Sequence, residues 1–108
     1  MPKLREVYNQ DGVLYGYRFY CPGCKDYDVV RTGPAGSGPV WSFTGTVNNP
    51  TIRPSLLKRW GRGGGDTQLR LMCCHAFITD GKIEFLGDCS HSLAGVTVEL
   101  TDVEEGVQ

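Results

Sequence analysis

Seven residues of this sequence can act as soft metal ligands: Cys21, Cys24, Cys73, Cys74, His75, Cys89 and His91. They fall into three clusters, and no cysteine or histidine lies elsewhere. Thiolate sulfur and imidazole nitrogen in such numbers suit a tetrahedral zinc site. Cys21-Pro22-Gly23-Cys24 reads as a knuckle: proline fixes one backbone torsion, glycine permits the tight bend, and two thiolates aim at one point. A tetrahedral site then needs two more donors, and the later clusters offer five. A second polar group lies in the stretch from Trp41 to Ser55. There Asn49, Thr51, Arg53 and Ser55 sit on a proline-stiffened segment whose donors suit an anion such as phosphate. Spacing singles out no Ser–His–Asp set and no pair of catalytic carboxylates. Asp88 is the only acid close to the third cluster, placed to orient His91 or to act as a base near the metal.

The elements that must carry these groups read as short strands. Leu14–Tyr20 alternates aromatic residues with Leu14, Gly16 and Arg18, and Tyr27–Arg31 returns after the knuckle. Val40–Thr44 is a short strand with Trp41 and Phe43 on one face. Asn48–Pro54 is extended and irregular, because residues that precede proline are pushed out of the helical region. Ser55–Trp60 reads as a strand and 61–66 as a loop. Leu69–Thr79 is the strongest strand, and Asp80-Gly81 is a hairpin signal, since a type I′ turn needs positive φ at both central residues. Lys82–Leu86 returns, 88–95 is a polar loop, and Val96–Leu100 is the last strand.

Hairpin register narrows the ligand set. With Thr79 opposite Lys82, counting back sets Cys74 opposite Gly87. Strands alternate with period two, so Cys74 and Cys89 share a face while Cys73 and His75 take the other. The expected site is therefore Cys21, Cys24, Cys74 and Cys89. His75 enters if a bulge near Gly87 flips the parity. His91 enters if the chain curls back after Cys89.

Bulk composition agrees with a stapled β fold. The chain has 108 residues, the size of one domain, with 15 glycines and 6 prolines. Net charge is −1, so no basic field recruits nucleic acid. No apolar run approaches the ~20 residues of a membrane span, and the first residues lack a signal peptide's apolar core. Five cysteines without a secretion signal point to a cytoplasmic metal protein rather than to disulfides. The expected fold is mainly β: a small antiparallel, zinc-ribbon-like domain over 1–108 with little helix, ending in an acidic, solvated tail at 101–108.

The ordered motifs resemble one family. They are Tyr17-Arg18-Phe19-Tyr20-Cys21-Pro22-Gly23-Cys24, Trp41-x-Phe43-x-Gly45, Pro50-Thr51-x-x-Pro54-Ser55-Leu56, Cys74-His75-x-Phe77-Ile78-Thr79-Asp80-Gly81-Lys82-Ile83 and Phe85-Leu86-x-Asp88-Cys89-x-His91-x-Leu93-Ala94-Gly95. The resemblance is to small proteins of bacteriophages and bacterial mobile elements, whose members often carry the label "ammonia monooxygenase". It implies zinc binding through the Cys-x-x-Cys, Cys-His and Cys-x-His motifs, and a role inside a bacterial host. It implies no activity, and the oxygenase label finds no copper-type histidine cluster here. Cys73 lies outside the family pattern.

The leading functional expectation is a zinc-stabilised binding module, not an enzyme. It would act on a host component, a defence protein or its nucleotide signal, with a host protein or a small anionic ligand as partner. The alternatives are a zinc-dependent hydrolase using His75 or His91 with Asp88, and a nucleic-acid-binding zinc ribbon.

Overall fold

The computed structural model describes residues 2–63 and 69–103, without the side chains of 60–63 and 69–71. Eight strands follow in chain order: β1 Arg5–Tyr8, β2 Leu14–Cys21, β3 Asp26–Arg31, β4 Ser42–Gly45, β5 Pro50–Gly63, β6 Leu69–Thr79, β7 Lys82–Phe85 and β8 Thr97–Glu99. They form two antiparallel sheets, ordered β1-β2-β3 and β4-β5-β6-β7-β8, and the described residues contain no helix. The mainly β reading holds. β1 has no counterpart in the sequence reading, and β5 starts earlier and ends later than expected.

Period-two alternation sets the core. Tyr17, Phe19 and Cys21 of β2 point inward, as do Cys74, Ala76 and Ile78 of β6, and Ile83 and Phe85 of β7. Val30, Ile52, Leu4, Cys89 and Leu100 complete the buried cluster. Lys82 and Glu84 alternate outward from β7, as one face of a half-solvated strand requires. The β6–β7 turn is the expected one: φ is 49° at Asp80 and 79° at Gly81, and Thr79 pairs with Lys82.

Two departures from regular pairing matter for the site. The first is a bulge in β5. Ile52 pairs with Ile78 and Leu56 with Ala76, so Arg53, Pro54 and Ser55 together oppose Phe77 alone. Arg53 pins this bulge. Its guanidinium donates to the carbonyls of Ile52 and Ile78, each at 2.9 Å, and to Thr79 Oγ1 at 2.8 Å, and it stacks over the Phe77 ring. The second is the end of β7 at Phe85. The chain then turns, with Cys89 N–H donating to the Leu86 carbonyl.

The termini of the described chain meet. Val103 is buried and donates its N–H to the Pro2 carbonyl, and Thr101 bridges to Tyr20. Lys3 binds the Leu100 carbonyl at 2.9 Å and Asp102 at 3.0 Å. Of the anticipated tail, Thr101 and Asp102 are exposed and Val103 is buried, while 104–108 lie outside the described residues, as do 64–66 of the anticipated loop.

Candidate functional site

β6 carries chemistry on both faces. Its neighbours Cys74 and His75 point to opposite sides of the sheet, and each meets a different set of partners.

On the inner face, Cys74 meets the knuckle. Cys21, Cys24, Cys74 and His91 bring their donor atoms within 4.8 Å of one another. Cys21 Sγ lies 3.9 Å from Cys74 Sγ, and Cys74 Sγ lies 3.5 Å from His91 Nε2. A tetrahedral ion with bonds of about 2.3 Å to sulfur and about 2.0 Å to nitrogen needs edges of about 3.8 Å and about 3.5 Å. The residues fit a metal ion. Gly23 is required by the same closeness, because a Cβ there would collide with the His91 imidazole. His91 is held edge-on against Phe85, ring centroids 4.4 Å apart. Its Nδ1 accepts the Leu93 N–H at 3.2 Å, so an ion at Nε2 would shift the ring proton to Nδ1 and release that contact.

The protons are unevenly held. The Cys21 thiol is lowered to about 6 by its hydrogen bond with Cys74, helped by the Cys24 and Gly23 amides. Burial pushes Cys24 up to about 11. Cys74 is pushed up by sharing its hydrogen bond with Cys21, and further by burial. Burial lowers His91. One sulfur is thus ready as thiolate, and two must lose protons when an ion enters.

Cys89 lies outside this group. The β6–β7 ladder, expected to run on to residue 89, stops at Phe85. The turn at 86–89 sends Cys89 back along β6, where its thiol accepts the His75 N–H and donates to the His75 carbonyl, both at 3.2 Å. The chain then curls so that His91 reaches the inner face. Cys73 lies apart from the cluster, with its Sγ 4.0 Å from Asp88.

On the outer face, His75 meets Ser55 and Asp88. Ser55 Oγ is 3.0 Å from His75 Nε2, and His75 Nδ1 is 3.2 Å from Asp88 Oδ2. His75 pairs with Leu57 across the ladder, and Ser55, the last residue of the β5 bulge and two before Leu57, lies on the same face diagonally from the ring. Asp88 is positioned by a strap that replaces the missing ladder. Leu86 N–H donates to the His75 carbonyl, Ser90 N–H to the Cys73 carbonyl, and Cys73 N–H to Ser90 Oγ. A hydroxyl on one imidazole nitrogen and a carboxylate on the other form the constellation of nucleophilic acyl transfer. His75 is thus hydrogen-bonded to Ser55 and Asp88, away from the metal cluster, and Asp88 orients His75 rather than His91.

Of the expected anion-binding group, only Ser55 joins this site. Arg53 is engaged in the bulge, Thr51 Oγ1 accepts the Asp80 N–H, and Asn49 turns with Thr46 beside Gly81.

The family model for "Bacterial ubiquitination-like system serine protease (BubE)" matches residues 2–86. The chain belongs to this family. The matched span contains Ser55 and His75 and ends two residues before Asp88. No curated protein and no solved structure matches the chain. The family overturns the expectation of a binding module aimed at a host defence component, and favours the hydrolytic alternative. The bacterial side of the resemblance agrees with the family's description. The Ser55–His75–Asp88 group is not legible in the sequence because its members are 20 and 13 residues apart, a spacing shared by many unrelated Ser, His and Asp residues. The one available signal was Pro54-Ser55 at the end of an irregular stretch. Among the described residues, no helix is long and apolar enough to cross a membrane.

Proposed function

We propose that the chain is a serine peptidase, with Ser55 as nucleophile, His75 as general base and Asp88 as the acid that orients it. The observation carrying this reading is the unbroken chain Ser55 Oγ–His75 Nε2, His75 Nδ1–Asp88 Oδ2, at 3.0 and 3.2 Å. Asp88 accepts a hydrogen bond from Nδ1–H, which keeps the ring proton on Nδ1 and leaves Nε2 free to accept the Ser55 proton. As Ser55 Oγ attacks the carbonyl carbon, its proton passes to Nε2. The C–N bond then breaks, and His75 returns the proton to the departing amine. Water enters, gives a proton to the same nitrogen, attacks the acyl ester and releases the acid as Ser55 regains its proton. The family's description supports an amide bond in a protein of a bacterial ubiquitination-like system as substrate. The reading places the chain in the bacterial cytoplasm, where its five free thiols stay reduced.

In this reading the inner-face cluster holds zinc as a staple. Three thiolates and one imidazole fill a tetrahedron and leave no position for water, the mark of a structural site. Held by Cys21, Cys24, Cys74 and His91, the ion would lie on the opposite face of β6 from Ser55 and would steady the strand that carries His75.

The test is labelling with a fluorophosphonate probe, with the modified residue located by mass spectrometry. The expected result is a single adduct on Ser55, lost in Ser55→Ala and His75→Ala variants that keep the wild-type circular dichroism spectrum. An adduct elsewhere, or none on well-folded protein, overturns the proposal.

A further inference from the structure

Arg53 holds the β5 bulge with only part of its hydrogen-bonding capacity. A guanidinium carries five N–H donors in a rigid fork. Here Nη1 serves the Ile52 and Ile78 carbonyls, and one Nη2 proton serves Thr79 Oγ1. The Nε–H and the second Nη2 proton have no partner among the described residues. The edge shared by Nε and Nη2 is one that can offer a carboxylate two parallel hydrogen bonds.

The charge is also uncompensated. All three acceptors are neutral, and Arg53 is exposed. Among the described residues no carboxylate lies within ion-pair distance of it. Glu84 stands opposite Phe77 on β7 and forms no ion pair with it. The Phe77 ring, its centroid 5.2 Å from Cζ, attracts the cation but carries no opposite charge. An exposed arginine ordinarily samples many rotamers, and fixing one costs entropy when a ligand arrives. Arg53 is already fixed by its bulge contacts, so an anion arriving at its open edge meets a preorganised donor.

The ladder sets its place relative to the nucleophile. Phe77 and Thr79 follow His75 on the outer face of β6, since one face recurs every second residue. The guanidinium sits against Phe77, the Ile78 carbonyl and Thr79, about three residues or ~10 Å along the strand from His75. It is therefore on the same face as Ser55 and His75, and away from the metal cluster. An extended peptide rises about 3.3 Å per residue. A peptide held at Ser55 and running toward Thr79 then meets the open edge about two or three residues from the attacked bond.

We propose that Arg53 is the substrate anchor of the enzyme: its open edge binds a carboxylate that the peptide carries about two or three residues from the bond that Ser55 attacks. The inference rests on the serine peptidase reading. It adds which peptides are cut and which residue chooses them. An Asp or Glu side chain and the peptide's own C-terminus both supply this chemistry.

The experiment digests peptide pairs, each an acidic peptide and its Asn or Gln counterpart, with free and with amidated C-termini. Cut bonds are mapped by mass spectrometry, and the readout is the ratio of kcat/KM within a pair. A general loss of activity from a disturbed bulge cancels in that ratio. Wild type is expected to favour the acid at one fixed position, or the free C-terminus over the amide, by about tenfold, the scale of a charge-assisted hydrogen bond. A preference for acidic side chains that survives amidation assigns the carboxylate to a side chain, and a preference seen only between free and amidated ends assigns it to the C-terminus. Arg53→Gln is expected to erase the preference. Arg53→Lys keeps the charge without the fork and is expected to lower it by about threefold. Arg59, exposed on the same face opposite Cys73, is the control, and Arg59→Gln is expected to leave the preference intact. Equal cleavage within every pair by wild type overturns the anchor. So does a preference that both Arg53 variants retain, or one that Arg59→Gln abolishes. Fluorophosphonate labelling of Ser55 in wild type keeps the peptidase reading standing in those cases, and absence of both labelling and cleavage overturns the two together.

Discussion

Replacing Asp88 by Asn separates the two tasks that a carboxylate performs for His75. The first is electrostatic: it stabilises the imidazolium that forms when Ser55 gives up its proton. With Asp88 Oδ2 3.2 Å from Nδ1, the charges lie ~4 Å apart. The interaction is then about 1 kcal/mol in water and about 4 kcal/mol at an effective dielectric of 20. The Asp88 side chain is 51% exposed and that of His75 is 24% exposed, so the true figure lies between these limits. Loss of the charge alone should slow the reaction by about 5-fold to about 1,000-fold. The second task is choice of tautomer. An asparagine amide turned toward Nδ1 donates a proton, forces the ring proton onto Nε2 and leaves Ser55 without a base. In triads of this type that substitution lowers kcat by about 10⁴. Asp88→Ala removes the charge without adding a donor, so it should lie in the milder range, and Asp88→Asn should be the slower of the two. The assay is the rate of fluorophosphonate labelling of Ser55, which needs no knowledge of the substrate. Wild-type rates in Asp88→Asn, beside an inert His75→Ala, would refute the role of Asp88. A slower Asp88→Ala than Asp88→Asn would refute the tautomer argument.

Two further predictions concern the inner face. Metal binding at pH 7.5 should release about two protons, one from Cys24, whose thiol sits at about 11, and one from Cys74, whose thiol is also raised; Cys21, at about 6, is already a thiolate, and His91 is already neutral. Calorimetry of zinc binding in buffers of different ionisation enthalpy gives the count, and a value near zero or near three would contradict it. Gly23→Ala should drive His91 from the cluster and weaken metal binding by at least about tenfold, as disturbed ligand orientation typically does. Competition with a chromophoric chelator measures this, and unchanged affinity would show that His91 is not a ligand.

The fold class was legible from local pattern. Tyr17, Phe19 and Cys21 alternate with polar or small neighbours, and Asp80-Gly81 leaves few turns other than the hairpin that forms. The knuckle was legible too, since Cys-Pro-Gly-Cys acts within four residues and Cys74 follows from the register of a two-residue turn. What lay beyond the ladder was not. Counting residues past Phe85 assumes that strands continue, and a strand ends wherever its next pair cannot be buried or bonded. That ending brings His91 to the metal cluster and leaves Cys89 against the His75 backbone.

The sequence by itself determined a β protein with three thiolate-bearing segments and one proline-stiffened stretch. Only the tertiary structure decided which neighbours face which side. Cys74 and His75 are adjacent in the chain, yet the pleat sends one to the metal cluster and the other to Ser55. A three-residue bulge pinned by Arg53 supplies the hydroxyl, and the strap after β7 supplies the carboxylate. Both devices depend on contacts between segments 13 to 25 residues apart, and no local propensity encodes them.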